Sequence, residues 1–432
     1  MSLVRSYLGQ VFLALGSITA CYRVESLLGS TKPMKIIVLD GNQNQAVACV
    51  RSLARQGHIV WAGESRTWSK AGWSRYCSGS FRYASPHTDP QKFLADVVAE
   101  SRKQSGTLIL PMTEATTLLI SAHRKLFTAV GARFVLPDHA DLLRAVDKSQ
   151  STALAQSLGI AIPKTFSAIV IEEAQEISGE IRFPVVLKPR TSQEQSYQGS
   201  MNATGRPSYA RDANELARRF IEMRRHCSAV LVQEFVEGTG TGYFALLNHG
   251  ELRAEFAHCR IRDVHPTGSG SALRESILPA PQIRQASLAM LQALRWHGVA
   301  MIEFRLRQDN VPVFLEINGR FWHSLPLACH AGTDFPALLA HMAEFGDVDP
   351  PAAYKVGIQC RWLVGDFRHL LEVWKGRPPG FPGNFPRRLP TLLAELTPKT
   401  GTFHDNFMWQ DPLPELGDWI CLFQQIRERR SQ

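Results

Sequence analysis

The chain has 432 residues, 44% of them hydrophobic and 20% charged, with a formal net charge of +9. That length and balance describe a globular protein of two or three domains and exclude a disordered or fibrous chain. The basic surplus suits an acidic ligand, phosphates included, but no dense Lys/Arg run with interleaved aromatics occurs, so no nucleic-acid partner is expected.

Residues 1–33 read as an N-terminal extension. An apolar stretch from Val11 to Tyr22 ends in "ITAC", which looks like a lipoprotein cleavage box but is too short to span a bilayer. An amphipathic extension with weak membrane association, or a true start at Met34, is expected in place of a signal peptide. The eight cysteines stand singly, with no C-x-x-C pair and no H-E-x-x-H, which argues against structural zinc and for a reducing, cytoplasmic setting.

From Met34 the pattern alternates. "KIIVLDG" predicts a buried strand, "NQNQAVACVRSLARQG" a helix closed by Gly57, and "HIVWAGE" a second strand. "TLILPMTE" follows the helical "DPQKFLADVVAESRKQ" as a third strand, and "RFVLPD" follows "TTLLISAHRKLFTAVG" as a fourth. Such alternation over residues 34–145 means a parallel, doubly wound sheet with ligands at its C-terminal edge. Thr113 and Glu114 stand at that edge, either against a substrate or as a polar helix start. The first turn lacks G-x-G-x-x-G, which argues against dinucleotide binding.

Residues 146–346 have an α+β texture. Lys148 opens a helix that ends at Gly159, and "FPVVLKPR" is a buried strand delivering Lys188 at its end, where phosphate oxygens can be met. "AVLVQEFVEGTG" is apolar until Gln233 and Glu234, and its edge offers backbone groups to an adenine, with Phe235 and Val236 as apolar neighbours. Residues 347–432 form a C-terminal extension in which "PPGFPGNFPRRLP" is loop-like and "PLPELGDWICLFQQIRERR" a helix.

The chemistry concentrates in "VAMIEFRLRQDNVPVFLEINGRF". Reading Asp309-Asn310 as a two-residue hairpin turn sets Glu303 directly opposite Glu316. One face is then wholly apolar (Ile302, Phe304, Leu306, Val311, Val313, Leu315, Ile317), and the other carries Glu303, Arg305, Glu316 and Asn318, continued by Arg320. Like charges directly opposed repel, and a cation between them removes the conflict; carboxylate and amide oxygens suit Mg²⁺. The alternative is a solvated face on which Glu303–Arg305 and Glu316–Arg320 pair off.

In this order, "DKSQSTALAQSLGIAIPKT", "FPVVLKP", "VQEFVEG", "IEFRL" and "FLEINGRF" resemble the successive motifs of the ATP-grasp superfamily, over residues 34 to about 346. The resemblance implies a Rossmann-like pre-ATP-grasp domain, a two-subdomain ATP-grasp fold and a small C-terminal extension, hence α/β plus α+β. It implies Lys148 and Lys188 as nucleotide-phosphate lysines, and Gln233, Glu234, Val236 and Glu237 around the adenine. Glu303, Glu316 and Asn318 become ligands of Mg²⁺ (or Mn²⁺), and Arg320 with Lys188 serves phosphoryl transfer from ATP. Ser271 and Arg274, in the glycine-rich "HPTGSGSALRESI", are candidates for the acceptor substrate, unless this is an ordinary surface loop. The flap "TSQEQSYQG" departs from the family in being glycine-poor, with Gly199 late. The implied activity is a ligase joining a carboxylate to an amine or thiol through an acyl phosphate, both partners being small molecules. The alternatives are a phosphotransferase on the same fold and a nucleotide-binding regulatory protein without turnover. His323 is expected as a base for the amine or as a helix-start residue before Ser324 and Pro326.

Overall fold

The computed structural model describes residues 32–195, 201–205, 207–397 and 401–430. The expectations for the N-terminal extension and for the tip of the flap, with Gly199, lie outside the described residues. Among the described residues no helix is long and apolar enough to cross a membrane.

The first layer is a parallel sheet of β1 (Lys35–Val38), β2 (Ile59–Glu64), β3 (Gly79–Arg82) and β4 (Leu108–Leu110), in the order β3-β2-β1-β4. It is wrapped by α1 (Asn44–Arg55), α2 (Pro90–Arg102), α3 (Glu114–Ala122) and α4 (Arg124–Thr128). Ile37, Leu39, Ile109, Phe93 and Val97 fill its core, as the unbroken apolar runs require. "RFVLPD" is not a full strand: only an isolated bridge joins Arg133 to Leu108. The sequence reading also missed β3, whose alternation of exposed and half-buried residues hides it from a search for apolar runs. Asp40 caps the carboxyl edge of this sheet, accepting from the Tyr83 hydroxyl, the Met112 and Thr113 amides and the Thr116 hydroxyl.

Next come α5 (His139–Val146) and α6 (Lys148–Ser157), then the small antiparallel sheet β5-β10-β6-β9. Its strands are β5 (Thr165–Ala168), β6 (Val185–Pro189), β9 (Ser208–Ala210) and β10 (Val230–Glu234), backed by α7 (Ile171–Glu180) and α8 (Ala213–Arg224). Between β6 and β9, β7 (Gln193–Gln195) pairs antiparallel with β8 (Met201–Ala203), so the described ends of the glycine-poor flap form a two-stranded ribbon.

The main sheet has seven strands, in the order β15-β14-β11-β12-β13-β16-β17. β11 (Thr239–Asn248), β12 (Glu251–His265), β13 (Ser269–Ile277), β14 (Gly298–Leu306) and β15 (Pro312–Asn318) precede the C-terminal region, with α9 (Pro281–Ala293) packed on one face. α10 (Leu325–Ala331) and α11 (Phe335–Phe345) follow. The expected C-terminal extension is built into this body. β16 (Gln359–Arg361) and β17 (Thr402–His404) complete the sheet, joined by α12 (Leu363–Lys375) and α13 (Arg388–Leu396). α14 (Leu413–Arg430), the predicted terminal helix, closes the chain.

A buried polar seam ties this terminal region to the parallel sheet. Arg51 of α1 donates to the Asp411 carboxylate at 2.8 Å and to the carbonyls of Asn406 and Asp411; Ser74 also donates to Asp411. Lys70 meets Asp418 at 2.7 Å. Breaking one partner of a buried pair leaves an uncompensated charge, whereas replacing both with apolar groups does not. Asp411→Ala is therefore expected to lower the unfolding free energy by about 3 kcal/mol, and Arg51→Met with Asp411→Leu to recover most of it. Urea denaturation of the three proteins checks this; simple additivity would refute the ion pair.

Candidate active site

A cleft of about 550 Å³ lies between the small sheet and the main sheet. Lys148, Lys188, Gln233, Glu234, Val236, Ser271, Glu303, Glu316, Asn318 and Arg320 all line it, so ten of the twelve residues singled out from the sequence converge. Glu237 and Arg274 do not.

The hairpin that carries the acids places Glu303 directly opposite Glu316, but not by the turn expected. The tip is longer: the Arg307 amide bonds to the Val311 carbonyl and Asn310 takes a positive φ of 60°. This changes the register at the turn end of the hairpin, where Leu306 faces Pro312 and Phe304 faces Phe314. A bulge between Glu303 and Phe304 then restores the pairing at the acids. It also breaks the supposed apolar face: Phe314 joins Ile302, Phe304 and Ile317 in the core, and Leu315 turns to the cleft.

Neither acid makes the pairs that a solvated face would need. Glu303 meets Arg260 at 2.7 Å and Glu316 meets Lys148 at 3.6 Å, with the Asn318 amide 3.4 Å from Glu316. Burial pushes the Glu303 carboxyl up; Arg260 opposes this and Glu316 adds to it. Burial acts on Glu316 too, but Lys148 and Lys188 outweigh it and hold that carboxyl below its ordinary range. Arg305 instead donates to the carbonyls of Gly238 and Gly268, and Arg320 to the Phe321 carbonyl. Arg320 also faces Glu114, whose buried carboxyl is raised.

Each cation is placed by its element. Asp147 caps α6, accepting from the Ser149 and Gln150 amides, and pairs with Arg190 at 2.7 Å; Lys148 is thereby fixed at the first turn and donates to Ser192. Lys188 ends β6 opposite Leu231, and burial pulls its ammonium down to about 8. Arg260 was not singled out from the sequence. It reaches Glu303 from β12, two strands away, because Gly240 stands between: a Cβ there would lie 3.0 Å from Arg260 Cδ. The spaced glycines of "TGTGYF" were the available signal.

Arg274 is wholly buried, with its guanidinium paired to Asp405 and donating to the Ser271 carbonyl. The carboxylate that draws it inward comes from beside β17, more than a hundred residues away, so the acceptor role expected for it is corrected to a structural one. Ser271 does face the cleft, and so do Thr267 and Gly268 of the same loop, held by a bond from the Tyr209 hydroxyl to the Thr267 carbonyl. Glu237 is exposed, one residue past the cleft wall. His323 precedes α10, with Ser324 at the N-cap position and Pro326 in the first turn, as anticipated. Burial pushes its imidazole down to about 3, which makes it a weak base at neutral pH. His323 also borders a second cavity of about 340 Å³ at the carboxyl edge of the parallel sheet, lined by Asp40, Glu64 and Thr113. Thr113 itself caps α3.

Two carboxylates and the Asn318 amide form an all-oxygen donor set, which suits Mg²⁺ or Mn²⁺, ions that commonly keep waters and phosphate oxygens as further ligands. Among the described residues no third His, Cys, Asp or Glu completes a protein-only metal cage.

Residues 226–365 match the family described as ATP-grasp in the biosynthetic pathway with Ter operon. The chain is 28% identical over 209 residues to the carbamoyl phosphate synthase large chain, N-terminal section, of Methanopyrus kandleri, covering 45% of this chain and 35% of that one. It is 28% identical over 213 residues to the D-alanine–D-alanine ligase of Nitrosospira multiformis, covering 45% and 65%. The chain thus spans about a third of the first relative's length and just under two thirds of the second's. The biotin carboxylase domain of Hydrogenobacter thermophilus 2-oxoglutarate carboxylase, solved with MgADP and bicarbonate, shares the fold with a TM-score of 0.61 at 15% identity, over 76% of this chain and 74% of that one. The fold is of the ATP-grasp type, mixed α/β. The family match, the relatives and the shared fold together support the ATP-grasp superfamily for this chain.

With Arg260 removed, Glu303 would face Glu316 without its nearest cation. Its carboxyl, already raised, would rise further, and a carboxyl raised in the folded state costs stability as pH climbs through its unfolded value. Arg260→Met is expected to lose about 2 kcal/mol or more at pH 7.5 and much less at pH 4.5. Thermal melting across that range tests it, and a pH-independent loss would contradict the pairing.

Proposed function

We propose that the protein is an ATP-dependent ligase that joins a carboxylate to an amine through an acyl phosphate, with Mg²⁺ or Mn²⁺. One observation carries the reading: Lys148, Lys188 and Arg320 converge with Glu303, Glu316 and Asn318 on one cleft, which Glu234, Phe235 and Val236 at the end of β10 also line. The similarity to a carbamoyl phosphate synthase chain and to a D-alanine–D-alanine ligase supports the class.

In this reading the edge at Glu234 and Val236 receives the adenine, and Lys148 and Lys188 bind the phosphates. Glu303, Glu316 and Asn318 hold the metal, which neutralises phosphate charge when bound. A carboxylate oxygen attacks the γ-phosphorus; that O–P bond forms as the bond to the β–γ bridging oxygen breaks, and ADP leaves. Arg320 offsets charge on the transferring group. The amine nitrogen then attacks the acyl carbon, the C–N bond forms, the C–O bond to phosphate breaks, and the amine loses a proton.

Glu316→Ala is expected to keep the fold, by circular dichroism, and to reduce ADP release with pooled carboxylates and amines at least about a hundredfold. Normal turnover in the folded variant would refute the site. Lys188 gives an independent check. Its ammonium is partly neutral above pH 8 in the free protein, and a bound triphosphate favours the charged form. Nucleotide binding at pH 8.5 is thus expected to take up a proton and to weaken as pH rises. Calorimetry in buffers of different ionisation enthalpy measures the uptake, which Lys188→Arg should abolish.

A further inference from the structure

The cleft is unusual in its buried nitrogens. Both ring nitrogens of His258, Nε of Arg260, Nε of Arg320 and the indole nitrogen of Trp322 are buried and find no hydrogen-bond partner among the described residues. All four residues line the same cleft, and His258 and Trp322 are each only 1% exposed. Buried polar groups are almost always bonded, so orphans gathered at one place need an explanation.

The sheet places them deliberately. One row across the main sheet runs His258, Gly242, Glu303, Glu316. Gly242 has no side chain to fill the row: a Cβ there would lie 3.0 Å from the His258 ring. The imidazole therefore lies on the same face as the acids and, two residues along β12, as Arg260. Phe244 holds both rings, edge-on to His258 at 4.7 Å and tilted to Trp322 at 4.4 Å.

We propose that His258, Trp322 and the guanidinium edges of Arg260 and Arg320 form a subsite for the carboxylate that is activated, selective for a monoanion. This deepens the ligase reading and rests on it. Nearly every orphan is an N–H donor, so the missing partner is an acceptor, and a carboxylate brings two acceptor oxygens. The charge on Arg260 is already met by Glu303 at 2.7 Å and Asp263 at 3.6 Å. Burial and the nearby Arg260 and Arg274 hold His258 neutral, and the indole carries no charge. Donors with little spare positive charge match a carboxylate better than a phosphate dianion. A hydroxyl acceptor would add a donor where the second nitrogen of His258 is the sole free acceptor among these groups.

The test uses the full chain and saturation-transfer NMR with formate, acetate and propionate as probes, against inorganic phosphate and acetamide, each with and without MgADP. The carboxylates are expected to bind, acetamide not, and phosphate not once MgADP occupies the site of Lys148 and Lys188. Trp322→Phe, which removes the N–H together with one ring of the indole, and His258→Leu should each weaken carboxylate binding roughly tenfold. His258→Gln, which keeps a donor, should retain most of it, and MgADP affinity should stay within twofold in all three. Carboxylate binding that is absent from the wild type, unchanged in Trp322→Phe and His258→Leu, or matched by phosphate in the presence of MgADP would overturn the subsite. Failure of the nucleotide reading looks different: MgADP would not bind, or would bind Glu316→Ala as well as wild type, while the titrations without nucleotide still decide the carboxylate question.

Discussion

Two carboxylates opposed on adjacent strands, Glu303 and Glu316, set the terms for the rest of the molecule. In a partly desolvated cleft their repulsion is far stronger than in water, and it persists unless cations stand close by. The fold supplies those cations from separate elements: Lys148 from the start of α6, Lys188 from the end of β6 and Arg260 from β12. Each approaches because something local makes room or fixes direction. Asp147 caps the helix of Lys148, and Gly240 clears the path of Arg260. A cleft lined this way is already charged for a polyphosphate and its metal, and such preorganised charge is what phosphoryl transfer asks of a protein.

The same logic of buried charge holds the outer body together. Arg51–Asp411, Lys70–Asp418 and Arg274–Asp405 all join the C-terminal region to earlier parts of the chain. Pairs of this kind add little net stability against apolar replacements, but a misaligned arrangement would strand charges. They fix how β16 and β17 extend the main sheet beside His323, which lines both cavities.

Periodicity and local chemistry carried the sequence reading where contacts are short in range. The alternation of β14 and β15, the helix starts and the strand-end lysine were all legible. The opposition of Glu303 and Glu316 came out right although the turn was longer than supposed, because a bulge, itself silent in the sequence, offsets the longer tip. The same bulge defeated the face assignment for Val313, Phe314 and Leu315, since inserting one residue reverses alternation.

What the sequence determined by itself was the resemblance to the ATP-grasp superfamily, most of the order of its elements and, of the twelve site residues it singled out, the ten that line one cleft, because each rests on patterns spanning a few neighbouring positions. Only the tertiary structure decided the partners. Arg274 looked toward a substrate until Asp405 claimed it, and Arg260 and His258 were unremarkable until glycines 240 and 242 left room beside them. Charge and hydrogen-bond pairing depend on distances through space between residues far apart in the chain, and one-dimensional spacing carries no record of those.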